Sequence, residues 1–283
     1  MASVGELTVI VPVRNAERWI DDCLESIACS APAEIVVVDG LSTDRTLELA
    51  RARGVRVISD EGRGVAAARR MGAEVAATRY VALIDVDVVL PDGALQDLLA
   101  EFVADDYTGL QAGLHSVSGP GYWGQALAHH HRSGRSKEWF GLVATILERD
   151  GLLEHGLDEQ FLSGEDIDLR WRLQQAGAKI GVSRRTVVEH RFDDTWEFAL
   201  GQWLADGHGF GRMLGVHGGR SLMLLLLPLA AAVRGCVLSL VRLQPRWVPY
   251  YICFCVFNYV GMFSELFKRI GRRRRPDPAE TGA

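Results

Sequence analysis

The sequence predicts an α/β fold, a mostly parallel sheet with helices on both faces, followed by apolar helices at the C-terminal end. Three observations carry this. Short β-branched apolar runs alternate with amphipathic stretches over residues 7–215. Polar clusters fall where the apolar runs stop, as in open parallel sheets. From 221 to 267 the composition becomes strongly apolar. The 283 residues, 48% hydrophobic and 24% charged, suffice for a large domain plus an appendage and exclude wholesale disorder. The expected division is 1–215 for the α/β domain, 216–271 for a membrane-associating helical region, and 272–283 for a basic, disordered tail.

Leu7–Val13 reads as a buried strand ended by Arg14-Asn15. Residues 16–29 carry apolar side chains at Trp19, Ile20, Cys23, Leu24 and Ile27, which is helical spacing. A second strand, 34–38, runs into the polar turn from Asp39 to Asp44, where Ser42 or Thr43 could cap a helix over 45–53. Then follow a strand at 55–59, a helix at 64–77, and a strand at 80–84 that stops at Asp85-Val86-Asp87. The clusters at 39–44 and 85–87 should meet in one crevice at the carboxyl ends of the strands.

Asp85 and Asp87 point the same way if that strand continues, and two like charges in one pocket call for a cation. Hard oxygen ligands of this sort suit Mg²⁺ or Mn²⁺ bridging to a diphosphate; a solvated turn with Asp87 as a helix cap is the plain alternative. In the run from Gly164 to Leu173, helical spacing sets Asp166 against Arg170 and Asp168 against Arg172. That is an ion-paired surface helix, or else a carboxylate placed to take a proton from an acceptor hydroxyl. His129, His130 and His131 adjoin, but consecutive helical residues cannot all face one ion, so a polar segment is the better reading.

The net charge of −5 gives no electrostatic case for nucleic acid. Five cysteines (Cys23, Cys29, Cys236, Cys253, Cys255) show no C-x-x-C and no zinc spacing, which fits a reduced, cytosol-facing compartment. No signal peptide is visible at the start of the sequence.

Six motifs stand in order: Val9-Ile10-Val11-Pro12-Val13-Arg14-Asn15, Val38-Asp39-Gly40-Leu41-Ser42-Thr43-Asp44, Ala68-Arg69-Arg70-Met71-Gly72, Leu83-Ile84-Asp85-Val86-Asp87, Gly156-Leu157-Asp158-Glu159-Gln160-Phe161 and Gly164-Glu165-Asp166-Ile167-Asp168-Leu169. Together, over residues 7–212, they resemble the family 2 glycosyltransferases, inverting enzymes of GT-A fold that use nucleotide-sugars. The resemblance implies that Pro12 and Asn15 lie in a first loop near the nucleotide and that Asp39 contacts base or ribose. Gly40 stands where a second Asp is common. It also implies that Arg69 lies near base and phosphates, with Arg70 replacing the usual Asn. Asp85 and Asp87 would hold metal and diphosphate, Asp166 would be the general base, and Glu165 would shape the acceptor side. His190 matches a histidine that approaches the metal or diphosphate. Trp139, Phe140 and Trp171 fall on the acceptor side as sugar-stacking or core residues. Gln202-Trp203 loosely resembles the Q-x-x-R-W element of processive members, but Ala205 stands where its Arg belongs, so single-sugar transfer is expected.

The apolar runs at 222–241 and 247–263 are joined only by Arg242-Leu243-Gln244-Pro245-Arg246, and a basic stretch from Lys268 to Arg275 follows. A transmembrane hairpin, two helices in the interface and an oligomer contact are all compatible. The basic residues favour an anionic cytoplasmic leaflet, and by analogy the acceptor would be a saccharide or a lipid-linked sugar in cell-surface polysaccharide assembly. The rival readings are a nucleotidyltransferase, for which no glycine- and basic-rich phosphate loop follows the first strand, and a non-catalytic nucleotide-sugar binding subunit.

Overall fold

The computed structural model describes residues 2–134, 138–161 and 163–273. The expected basic tail lies outside these residues except for its first two positions, which end the last helix. The strands are β1 (Leu7–Val13), β2 (Glu34–Asp39), β3 (Arg56–Ser59), β4 (Tyr80–Ile84), β5 (Val88–Val89), β6 (Gly109–Ser118), β7 (Ala144–Glu148) and β8 (Ile180–Phe192). They form one sheet in the order β3-β2-β1-β4-β7-β6-β8-β5. The first four are parallel, as the alternating pattern predicts. The other half is mixed: β7 runs antiparallel to β4 and β6, β6 and β8 are parallel, and β5 is antiparallel to β8.

The helices of the α/β part are α1 (Ile20–Ala28), α2 (Thr46–Ala52), α3 (Val65–Val75), α4 (Ala94–Ala104), α5 (Tyr122–Ser133), α6 (Arg149–His155) and α7 (Glu165–Gln175). The period-2 alternation of β1 divides the core. Leu7, Val9, Val11 and Val13 face a cluster with Ile20, Leu24 and Ile27 of α1 and Leu95, Leu98 and Phe102 of α4. Ile10 faces the opposite cluster, with Ala68 and Ala73 of α3, Leu152 of α6 and Leu169 and Leu173 of α7. Each fully buried Leu, Ile or Phe contributes about 1.5–3 kcal/mol by leaving water.

The contacts of the chain group it into two compact units, one of Met1–Pro120, Ala128–Gln160 and Glu165–Asp193, the other of Gly121–Leu127, Phe161–Gly164 and Asp194–Ala283. The division therefore falls at 193 rather than at the expected 215, and α8 (Trp196–His217) joins α9 (Leu227–Val241) and α10 (Val248–Arg273). The reason is a backbone-to-backbone contact: a Cβ on Gly207 would stand 2.1 Å from the Asn258 carbonyl oxygen, and one on Gly261 2.4 Å from that of Leu204. Trp203 of α8 is fully buried among Trp123, Trp196 and Tyr250, with ring centroids 5.4–5.8 Å away, so it serves this unit's core.

In the first unit α3 lies so close to β1 that a Cβ on Gly72 would stand 2.4 Å from Ile10 Cγ2. Ile10 is fully buried and has nowhere to yield. Gly72→Ala should therefore destabilise the protein by about 1–3 kcal/mol, read as a lower denaturant midpoint at unchanged slope.

Candidate active site

Two loops at the carboxyl ends of β1 and β2 are tied by side chains. Asn15, at φ +51°, accepts the Thr43 amide proton on Oδ1 at 2.8 Å, and its own amide donates to Ser42 Oγ at 2.9 Å. Ser42 and Thr43 are thus spent on Asn15, and the Thr46 amide at the start of α2 donates instead to Asp44 Oδ1 at 3.0 Å. Asp39 ends β2, nearly buried, and its carboxylate accepts the Ser42 amide at 3.2–3.3 Å. Beside it a cleft of about 520 Å³ is lined by Asp39, Leu41, Thr43, Arg51, Val57 and Ser59, among others. Pro12 lies inside β1, paired with Val38, and not in the loop expected for it. Its missing N–H is tolerated because the β4 ladder on its other side has already stopped at Ile10.

Beyond β4 the strand does not continue through Asp85 and Asp87. The Val88 amide donates to the Asp85 carbonyl at 3.0 Å, closing a turn. The two carboxylates consequently find different partners. Arg69, 4% exposed, projects from α3 one turn before Gly72. Its Nη2 donates to Asp85 Oδ1 at 2.6 Å and its Nη1 to Glu165 Oε1 at 2.5 Å. Burial opposes the Arg69 charge, but Asp85 and Glu165 outweigh it and raise its pKa. Burial and the neighbouring Asp87 push the Asp85 carboxyl up, against the pull of Arg69.

Glu165 and Asp166 open α7. Desolvation, reinforced by the negative charge of Glu165, raises Asp166 to about 6. Asp168, by contrast, accepts from Arg172 Nε at 2.8 Å as the i,i+4 spacing predicts. Arg170 does not form the expected ion pair; its guanidinium lies 5.1 Å from the ring of Trp139, which is 37% exposed. Phe140 next to it is core. Two residues that carried no sequence signal complete this side. Gln111 Oε1 accepts the Gly141 amide at 2.9 Å, and a Cβ on Gly141 would come 3.0 Å from Asp166 Oδ2. Arg70 turns outward to Glu74 and Glu159.

His190 on β8 is nearly buried, its Nε2 3.4 Å from Asp87 Oδ2. Burial lowers its basicity, and the charge of Asp87 more than offsets this, so its pKa is raised. His131 stands with its ring 6.5 Å from that of His190 and 4.9 Å from that of Phe192. Among the described residues no group of three His, Cys, Asp or Glu is gathered at metal-binding distance. Asp87 Oδ1 and His190 Nδ1 are nevertheless sealed from solvent without a hydrogen-bond partner. The carboxylate oxygen, beside Asp85, is a donor type that a hard divalent cation takes, and the imidazole adds a softer nitrogen donor to it.

Comparison with known proteins bears on the family and the fold. The model of the family described as glycosyl transferase family 2 matches residues 8–150. The pre-mycofactocin glycosyltransferase of Mycobacterium tuberculosis is 29% identical over 201 residues, 65% of this chain and 42% of that protein. The uncharacterized glycosyltransferase YibD of Escherichia coli is 31% identical over 113 residues, 38% of this chain and 33% of that protein. The chain thus matches less than half the length of these relatives. Among solved structures, the mannosyltransferase PcManGT from Pyrobaculum calidifontis in complex with GDP-Man and Mn²⁺ superposes with a TM-score of 0.62 at 18% identity, over 91% of this chain and 87% of that one. The glucosyl-3-phosphoglycerate synthase of M. tuberculosis, with Mn²⁺ and UDP-glucose, gives 0.54 at 19% over 74% and 78%. These likenesses establish a common fold.

Removing Arg69 would leave two carboxylates facing each other without their cation. Arg69→Met should cost about 3–5 kcal/mol in denaturant unfolding. Pairing it with Glu165→Gln should recover part of that loss in a double-mutant cycle.

Proposed function

Because the chain belongs to the family 2 glycosyltransferases, we propose that it moves one sugar from a nucleoside-diphosphate donor to an acceptor hydroxyl with inversion at the anomeric carbon. The observation that carries this reading is the Arg69 bridge, which brings the α7 carboxylates into one cluster with Asp85 although 80 residues of sequence separate Asp85 from Glu165. The base would enter the cleft beside Asp39, whose loop Asn15 holds in place. Pro12 supports the same wall from within β1. Arg69 gives both Nη groups to carboxylates, so it acts on the donor by fixing Asp85.

Asp85, Asp87 and His190 would hold Mg²⁺ or Mn²⁺, which would supply Lewis-acid stabilisation of the charge developing on the leaving diphosphate. Asp166 takes the proton of the acceptor hydroxyl. The freed oxygen attacks the anomeric carbon, and the bond to the diphosphate breaks with its electron pair going to the diphosphate oxygen. Glu165 keeps Arg69 in place, and desolvation reinforced by its charge holds the Asp166 carboxyl near the working pH, where a general base is most effective. Trp139, half exposed beside Arg170, offers an aromatic face on the acceptor side. The acceptor we propose is a saccharide or lipid-linked sugar used in cell-envelope or surface polysaccharide synthesis, met at the cytoplasmic face of the membrane. The apolar composition of α9 and α10 and the basic residues after them support that placement.

Asp166→Asn should lower transfer by about 10²–10⁴-fold while leaving donor affinity intact, measured as nucleoside diphosphate release and by calorimetric titration. The acid limb has a definite sign. The base must be ionised, so kcat/KM should fall tenfold per pH unit below about 6, the value to which desolvation and Glu165 raise Asp166. A raised carboxyl also costs stability as pH climbs through that value. Asp166→Asn should therefore melt higher than wild type at pH 8, and the difference should shrink as pH falls below about 6 and vanish only below the ordinary carboxyl value of 3.8.

A further inference from the structure

In the second unit α10 buries one face and exposes the other. Ile252, Val256, Val260, Phe263 and Phe267, at helical spacing, are 47–69% exposed. Tyr250, Phe254, Asn258 and Met262 on the opposite face are buried, toward the side where Gly261 meets α8. On α9 the same division recurs. Leu229, Val233, Val237 and Leu240 are 48–58% exposed, while Ala232, Gly235 and Ser239 are covered. The exposed stripes carry no acidic residue. Between Gly218 and Lys268 the sequence has five basic residues, Arg220, Arg234, Arg242, Arg246 and Lys268, against one acidic residue, Glu265. Glu265 lies on the α8 side, where a Cβ on Gly211 would touch its side chain at 3.0 Å.

We propose that the exposed faces of α9 and α10 form one surface that lies flat in an anionic lipid leaflet, so that neither helix crosses the bilayer. This deepens the membrane placement proposed above and rests on it, but not on the transfer chemistry. Charge complementarity selects the occupant. The stripe is flanked by Arg242 and Arg246 at the hairpin and by Lys268 at the far end. A second copy seated on this face would set basic end against basic end, whichever way it turned. An anionic lipid surface meets both ends with opposite charge and the stripe with acyl chains.

The packing of α8 decides between lying and spanning. Gly207 of α8 meets α10 at Asn258, inside its apolar stretch, and Gly211 meets it at Met262, near the end of that stretch. If α10 crossed a bilayer, Asp206 and His208 of α8 would sit within the hydrocarbon, where ionisable side chains are avoided. With α10 in the interface plane those residues remain on the aqueous side, the uncharged stripe side chains enter lipid, and Arg234, exposed on α9, reaches the anionic headgroups.

The test uses the full chain and sealed vesicles of phosphatidylcholine with or without phosphatidylglycerol, with donor turnover assayed in the same samples. The protein should float with the phosphatidylglycerol vesicles and bind pure phosphatidylcholine at least about tenfold more weakly. Val237→Glu together with Val256→Glu should reduce binding at least about tenfold at unchanged melting temperature and turnover. If that pair fails to fold, Arg242→Gln with Arg246→Gln, both in the exposed hairpin, should weaken the dependence on phosphatidylglycerol. Trypsin added outside should cut the bound protein both at the hairpin and after Lys268. Binding that survives the paired glutamate change, an undiminished dependence on phosphatidylglycerol after the paired glutamine change, protection of one trypsin site but not the other, or a lipid-free dimer dissolved by Val237→Glu without vesicle binding overturns the proposal. Lost turnover with retained flotation would instead overturn the catalytic reading.

Discussion

A buried arginine shared by two carboxylates is the constraint on which the rest of the site depends. Arg69 is almost without solvent, so its charge persists only because Asp85 and Glu165 face it at 2.6 and 2.5 Å. A buried ion pair contributes little net stability, because desolvation consumes most of the Coulomb gain. Its effect is on geometry. The rigid guanidinium fork fixes where the turn after β4 stands relative to the start of α7. Gly72 sets the height of that fork by letting α3 rest on Ile10, three residues from Arg69 on the same helical face.

The fold was legible where local pattern decides it. The apolar runs at 7–13, 34–38, 55–59 and 80–84 encode the first four strands, since parallel strands buried on both faces read as continuous apolar stretches. The mixed half was less legible because pairing β7 between β4 and β6 is a choice of long-range register that no short motif records. The membership of α8 was hidden for a related reason: whether a glycine in a helix is tolerated or required depends on a partner some 50 residues away, as with Gly207 and Asn258.

In the site, residue types were readable and their relations were not. The pair Asp85 and Asp87 was visible, yet its parallel orientation assumed a strand that a turn interrupts. Asp166 and Asp168 look alike in sequence, two residues apart in the first turn of one helix. The structure separates them: Arg172 takes Asp168, while Asp166 meets no cation within hydrogen-bond reach among the described residues and is raised to about 6 by desolvation and the charge of Glu165. Gln111 and Gly141 could not be found beforehand, because a buried amide and a missing Cβ matter only when the backbone brings them beside Asp166.

This separation explains why the carboxylate left unpaired sits next to one that is fully engaged. Arg69 cannot neutralise three neighbours. Asp85 and Glu165 occupy its two Nη groups, which leaves neither of them for Asp166 or, across the turn, for Asp87, which faces His190 instead. Those two positions are where the proposed chemistry brings positive charge, a proton from the acceptor at one and a divalent cation at the other. A site balanced in isolation would have less to gain from either. On the proposed chemistry, the arrangement would trade folding stability for affinity toward the proton and the cation, which is the usual direction of compromise at functional sites.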